Sequence, residues 1–200
     1  MDHIHTEQTL EYYNKNADAF AFSMQKLDFK ETQNAFLNYL PQQSAILDFG
    51  CGAGRDTKYF LNLGYRVTAI DGSEELCRKA TLYTGSQVRQ MLFQELDSVD
   101  CYDGIWACSS ILHLSMDELK IVLNKMAKAL TKEGIVYTSF KYGSFEGMRN
   151  GRYFTDLNEQ KANELIKETD VFTIREMWLT SDIRTEIGEE KWLNLILQKK

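Results

Sequence analysis

The 200-residue chain has one proline, three histidines, four cysteines and no run of 18 apolar residues. Each scarcity excludes something. A lone Pro41 rules out a proline-rich linker or stalk. Cys51, Cys77, Cys101 and Cys108 lie 26, 24 and 7 positions apart with no C-x-x-C pair, and His3 and His5 sit at the N-terminus, so neither a zinc site nor a disulfide framework is expected. The opening MDHIHTEQTL has neither the basic nor the apolar region of a signal peptide. The expectation is a cytoplasmic protein with reduced thiols and no membrane partner. Basic runs are missing too. Lys and Arg number 23 against 29 Asp and Glu, a formal charge of −6, which argues against a nucleic-acid or anionic-membrane binder.

What is present is ordinary globular material, 44% hydrophobic and 26% charged, enough for one domain over 1–200 with its own core. Pro41 divides it into an N-terminal helical cap (1–40) and an α/β core (44–200). Leu10, Tyr13, Ala17, Phe20 and Met24 recur at steps of three and four, predicting one amphipathic helix, and a second is expected over about 28–39. After Pro41, short apolar runs alternate with periodic segments, as in a parallel sheet. Strands are predicted at 45–49, 65–71, 87–92, 102–108 and 135–141. Helices are expected from Thr57 to Leu63, after Ser73, after a Ser115/Glu118 capping box and ending at Gly134, and from Asp156 to Glu168 capped by Thr155. The stretch YGSFEGMRNGRYF reads as a polar loop, and two late strands, 172–180 and 191–198, form a hairpin-like pair.

The first strand runs into Asp48-Phe49-Gly50-Cys51-Gly52-Ala53-Gly54. In a doubly wound sheet, ligands bind beyond the carboxyl ends of the strands, where a glycine-rich turn lets them touch backbone. A dinucleotide fingerprint needs a glycine where Arg55 stands. Asp48 would repel a pyrophosphate but attract a ligand with an ammonium and a sulfonium, such as S-adenosylmethionine. Asp71, 21 residues after Gly50 at the end of the second strand, is placed to accept from both hydroxyls of a ribose.

The segment ILDFGCGAGRDTKYFLNLGYRVTAID resembles the first two motifs of class I S-adenosylmethionine-dependent methyltransferases, and FQELD, YDGIWACSSILHL and EGIVYTSFKYG resemble the later ones. YYNKNADAF and ACSSILHL are similar to the small tellurite-resistance-type members. The resemblance implies a Rossmann-like, doubly wound, mostly parallel seven-stranded sheet with its last strand antiparallel, plus N-terminal lid helices. It implies S-adenosylmethionine as cofactor, with Asp48, Gly50, Cys51, Gly52 and Gly54 at the methionine, Asp71 and Gly72 at the ribose, and Phe93 with Gln94 or Glu95 at the adenine.

Two devices are excluded by counting. Cys108-Ser109-Ser110-Ile111 stands where amide and amine methyltransferases carry a Pro-Pro motif, and no Pro-Cys nucleophile exists. Cys108 is either a soft contact beside the sulfonium or a small buried side chain. His113 is either a base for a hydroxyl or thiol or a residue packing at a helix start. Tyr12 and Tyr13, on the lid, face the site or the core. Arg149, Arg152 and Arg184, in loops at the pocket mouth, suit an anionic substrate or plain solvent. Tyr153, Trp178 and Trp192 line an apolar wall or join the core. The acceptor is expected to be a small soft or anionic nucleophile, a thiol or a tellurium or selenium oxyanion, handled by a monomer or homodimer. A non-catalytic sensor of the same ligand and a nicotinamide oxidoreductase are the rival readings, the latter disfavoured by Asp48 and Arg55.

Overall fold

Strand β1 (Ala45–Phe49) is buried on both faces, as a central parallel strand must be. In a computed structural model, which describes residues 4–184 and 190–200, it pairs in parallel with β2 (Arg66–Asp71) on one side and β4 (Tyr102–Ala107) on the other. The full sheet, with β3 (Val88–Gln90), β5 (Leu130–Lys141), β8 (Phe172–Ser181) and β9 (Lys191–Lys199), runs β3-β2-β1-β4-β5-β9-β8. Among the described strands of this sheet, β9 runs opposite to the other six. Strand order reverses between β1 and β4, so the ligand crevice lies at their carboxyl ends.

Helices cover both faces. On one, α6 (Met116–Ala129) and α7 (Glu159–Thr169) bury Leu119, Val122, Leu123, Met126, Leu165 and Ile166. On the other, α3 (Lys30–Leu37) and α4 (Arg55–Asn62) deliver Phe36 and Phe60 onto Trp106, which stacks on Tyr137 with ring centroids 4.1 Å apart. Helix α5 (Glu74–Thr84) packs beside β2 and β3, N-capped by Ser73.

Several boundaries differ from the sequence expectation. The N-terminal helix breaks into α1 (Ile4–Lys15) and α2 (Ala17–Met24) at Asn16, whose side-chain amide donates to the Tyr12 carbonyl. Helix α6 stops at Ala129, and Gly134 lies inside β5, where the pairing with β4 shifts register. The polar loop is a β-hairpin, β6 (Glu146–Arg149) with β7 (Arg152–Thr155), turning on Asn150 and Gly151, both at positive φ. This Asn-Gly pair is the two-residue turn signal that such a hairpin requires. Thr155 therefore ends a strand, and α7 is capped instead by Asn158, whose side chain accepts from the Lys161 amide.

Candidate functional site

A cavity of about 370 Å³ opens at the carboxyl ends of β1, β2, β4 and β5, a volume within the range of small-ligand sites. Helices α1 and α2 roof it with Thr6, Leu10, Tyr13, Phe20 and Met24, which is the lid arrangement expected of the cap.

Its floor is the glycine turn. Gly50, Gly52 and Gly54 all sit at positive φ, and a Cβ on Gly50 would come within 2.5 Å of the Ser110 Cβ. The turn can therefore carry no side chain at Gly50, which presents backbone to the cavity. The Asp71 carboxylate borders it, held by the backbone amides of Gly52 and Ser73, each at 2.8 Å. Burial pushes its pKa up and these amides pull it back. Gly72, Leu92, Phe93 and Gln94 continue the wall.

Not every expected residue arrives there. Asp48 lies behind the turn, 1% exposed, with its carboxyl accepting from the Thr57 hydroxyl at 2.5 Å. Burial and neighbouring Asp56 raise its pKa to about 8, and it supports the turn from behind without lining the cavity. Gly54 packs on Ala80 and Thr84. Glu95 turns back to accept from the Leu92 amide, leaving Gln94 as the polar residue of this segment on the cavity. Tyr12 is displaced to the outer side of Arg152. Arg149 makes a bidentate pair with Asp156, at 2.9 Å on each arm, in a separate shallow pocket. Trp178 joins the core against Tyr137, whereas Trp192 lines the cavity. Tyr153 gives the site its backbone carbonyl, while its hydroxyl reaches Glu146.

Tyr13 and His113 do come together, across 100 residues. The His113 Nδ1 lies 2.6 Å from the Tyr153 carbonyl, which can only accept, so Nδ1 carries the proton. Nε2 is then the acceptor for the Tyr13 hydroxyl at 2.9 Å. Burial lowers the His113 pKa to about 4, which keeps the ring neutral. Burial raises that of Tyr13, against the opposing pull of Arg152. Cys108 borders the cavity as a neutral thiol, its pKa raised to about 12 by burial.

Sequence reasoning missed Arg55 and Asp56 as part of this site. The Arg55 guanidinium stacks 4.5 Å from the Phe29 ring and pairs bidentately with Asp56, which also accepts from Gln33 and the Trp106 indole. The pair ties α3, α4 and β4 together beneath the far end of the cavity. The only signal was the run Gly54-Arg55-Asp56 itself, because the partners are distant in the chain.

Residues 46–134 match the family model described as a methyltransferase domain. A malonyl-[acyl-carrier protein] O-methyltransferase of Salmonella typhimurium is 25% identical over 169 residues, 78% of this chain and 65% of that protein. YqeM of Bacillus subtilis is 30% identical over 113 residues, 51% of this chain and 46% of its own. The chain thus spans less than two thirds of the length of these curated relatives. Among solved structures, Burkholderia thailandensis 1,6-didemethyltoxoflavin-N1-methyltransferase, with bound 1,6-didemethyltoxoflavin and S-adenosylhomocysteine, superposes with a TM-score of 0.83 at 20% identity, covering 100% of this chain and 91% of that one. Magnesium protoporphyrin IX methyltransferase from Synechocystis PCC 6803, with bound S-adenosylhomocysteine, gives 0.71 at 15% identity over 95% and 97%. At these identities the structural likeness is one of fold. Residues 46–134 are thus similar to a methyltransferase domain, and the chain shares the fold of these methyltransferase structures.

Proposed function

We propose that the protein transfers a methyl group from S-adenosylmethionine to a small-molecule acceptor. The observation that carries this reading is the cavity itself, in which a glycine-rich turn and the Asp71 carboxylate meet under a helical roof. The residues fit the cofactor: Asp71 has lone pairs left for ribose hydroxyls, Phe93 and Leu92 offer an apolar wall for a purine, and the Thr6 hydroxyl is buried without a partner on the same cavity. When bound, the cofactor supplies an electrophilic methyl on a sulfonium.

The chain's own contribution is positioning. In-line displacement gains most from holding two reactants at contact distance and excluding water. The roof residues Tyr13, Phe20 and Met24 and the wall residues Phe29, Phe154 and Trp192 do this for an acceptor. His113 holds the Tyr13 hydroxyl by Nε2 and fixes the direction in which its lone pairs face the cavity. A base near pKa 4 removes protons from weak acids poorly, so this dyad serves better to orient than to deprotonate. Soft anions such as thiolates and tellurium or selenium oxyanions suit such a site, and the YYNKNADAF and ACSSILHL likeness to tellurite-resistance-type enzymes supports them. The small acceptor is also supported by the fold shared with the 1,6-didemethyltoxoflavin enzyme.

Incubation with methyl-labelled S-adenosylmethionine and a metabolite library tests the reading. Label is expected in one or a few small products, with unlabelled S-adenosylhomocysteine formed alongside. Label in added protein or nucleic acid exceeding that in every small acceptor would overturn it.

A further inference from the structure

Basic side chains line the cavity or lie in the neighbouring pocket, yet most are paired with a carboxylate. Arg55 is matched by Asp56, Arg184 by Asp182 at 2.5 Å, Arg149 by Asp156 and Lys141 by Glu190. Despite its burial, Asp182 is held at about pKa 2 by Arg184 and the Trp192 indole, so that pair is fully ionised at neutral pH. Each of these cations is cancelled within its own neighbourhood.

Arg152 is different. Among the described residues it has no carboxylate partner. Its guanidinium lies among three rings, 4.4 Å from the centroid of Tyr12, 5.7 Å from Tyr13 and 5.1 Å from Phe154. Its one side-chain hydrogen bond there is a long one, Nη1 to the Tyr13 hydroxyl at 3.4 Å, and its Nε is buried with no acceptor at all. Ring faces stabilise a cation but do not satisfy its N–H donors. The donor directions are also forced: Arg152 donates to the Tyr13 oxygen, Tyr13 to His113 Nε2, and His113 Nδ1 to the Tyr153 carbonyl. Every group in this chain gives a hydrogen in the same sense, and at the cavity end it stops on an unsatisfied guanidinium.

We propose that Arg152 is the specificity-determining residue for the methyl acceptor, and that the acceptor enters as an anion whose charged group, a thiolate, carboxylate or other oxyanion, docks on this guanidinium. The proposal rests on the methyltransferase reading above and sharpens it by choosing one of the three arginines singled out in the sequence. Where the docked anion is itself the nucleophile, it needs no proton removed before attack, which suits a cavity whose only histidine among the described residues has its free nitrogen already taken. Charge-assisted bonds to a fork of donors supply both affinity and direction.

The test uses benzoate and its neutral isostere benzamide, titrated calorimetrically into the whole protein with and without saturating S-adenosylhomocysteine. A wild-type preference for benzoate of about tenfold or more is expected, the equivalent of one charge-assisted hydrogen bond. Arg152→Gln should reduce that preference to about twofold, Arg152→Lys should keep part of it, and Arg149→Gln should leave it intact, with S-adenosylhomocysteine affinity within about twofold of wild type in all three. Benzoate binding no tighter than benzamide, or a preference that survives in folded Arg152→Gln, would overturn the proposal. So would an Arg152→Gln loss of S-adenosylhomocysteine affinity matching the loss of benzoate, since Arg152 would then hold the cofactor's own carboxylate. The two failures separate: no S-adenosylhomocysteine binding to wild type refutes the cofactor reading, whereas normal binding without an anion preference refutes only the role of Arg152.

Discussion

The two ends of the cavity are built by different means. The glycine-turn end is made largely of backbone from a contiguous stretch, β1 through β2, with Asp71 pinned by two amides. The opposite end, the proposed acceptor end, is made of side chains from α1, α2, the β6–β7 hairpin and the strands β5, β8 and β9, held by pairs such as Arg55–Asp56 and Tyr13–His113. Backbone sites tolerate little change because their shape is the chain itself. Side-chain sites can be re-specified residue by residue while the scaffold stays, which is how one fold serves different acceptors.

Several substitutions would break or sharpen this contrast. The largest expected effect is on stability, at the acceptor end: Asp56→Ala leaves Arg55, Gln33 and the Trp106 indole without their acceptor and should cost about 3–5 kcal/mol in denaturant unfolding. Gly50→Val should cost about 3 kcal/mol and abolish S-adenosylhomocysteine binding, because it combines a left-handed backbone with the 2.5 Å approach of Ser110. Asp71→Ala should weaken cofactor binding by about 1–3 kcal/mol, read by calorimetry, with little change in affinity for an acceptor analogue.

A further effect concerns pH. The Asp48 carboxyl has a folded pKa raised to about 8, above its unfolded value, so the folded state binds more protons between them. Its contribution to stability is full below about pH 4 and is lost as pH rises towards 8. Asp48→Asn should therefore flatten the pH dependence of the unfolding midpoint over that window, and an unchanged profile would mean that Asp48 is charged in the fold.

The same contrast explains what could be read beforehand. The sheet and the glycine turn were legible because short apolar runs, glycines and Asp71 are local signals, while the reversed last strand followed from the family resemblance and the late hairpin-like pair. The hairpin carried such a signal too, Asn150-Gly151, but its polar composition hid it. Thr155 looked like a cap because Thr and Asn are both good ones, and only the hairpin's extent shows that Asn158 does the capping. Asp48 was legible as important and not as buried, since its depth depends on Thr57 and Asp56 folding over it. The pairings of Tyr13 with His113 and of Arg149 with Asp156 leave no trace in local pattern. Which arginine stays uncancelled is decided by tertiary contacts alone.

The cavity at the β1–β4 switch point is proposed as a sulfonium-cofactor site read by Asp71 and the glycine turn. Calorimetric titration of S-adenosylmethionine, S-adenosylhomocysteine and NAD into wild type and Asp71→Ala tests it most directly. The account predicts saturable one-site binding of the first two, weakened by about 1–3 kcal/mol in the variant, and none of NAD. Tight NAD binding with no response to either sulfur compound, or an Asp71→Ala variant with unchanged affinity, would contradict it.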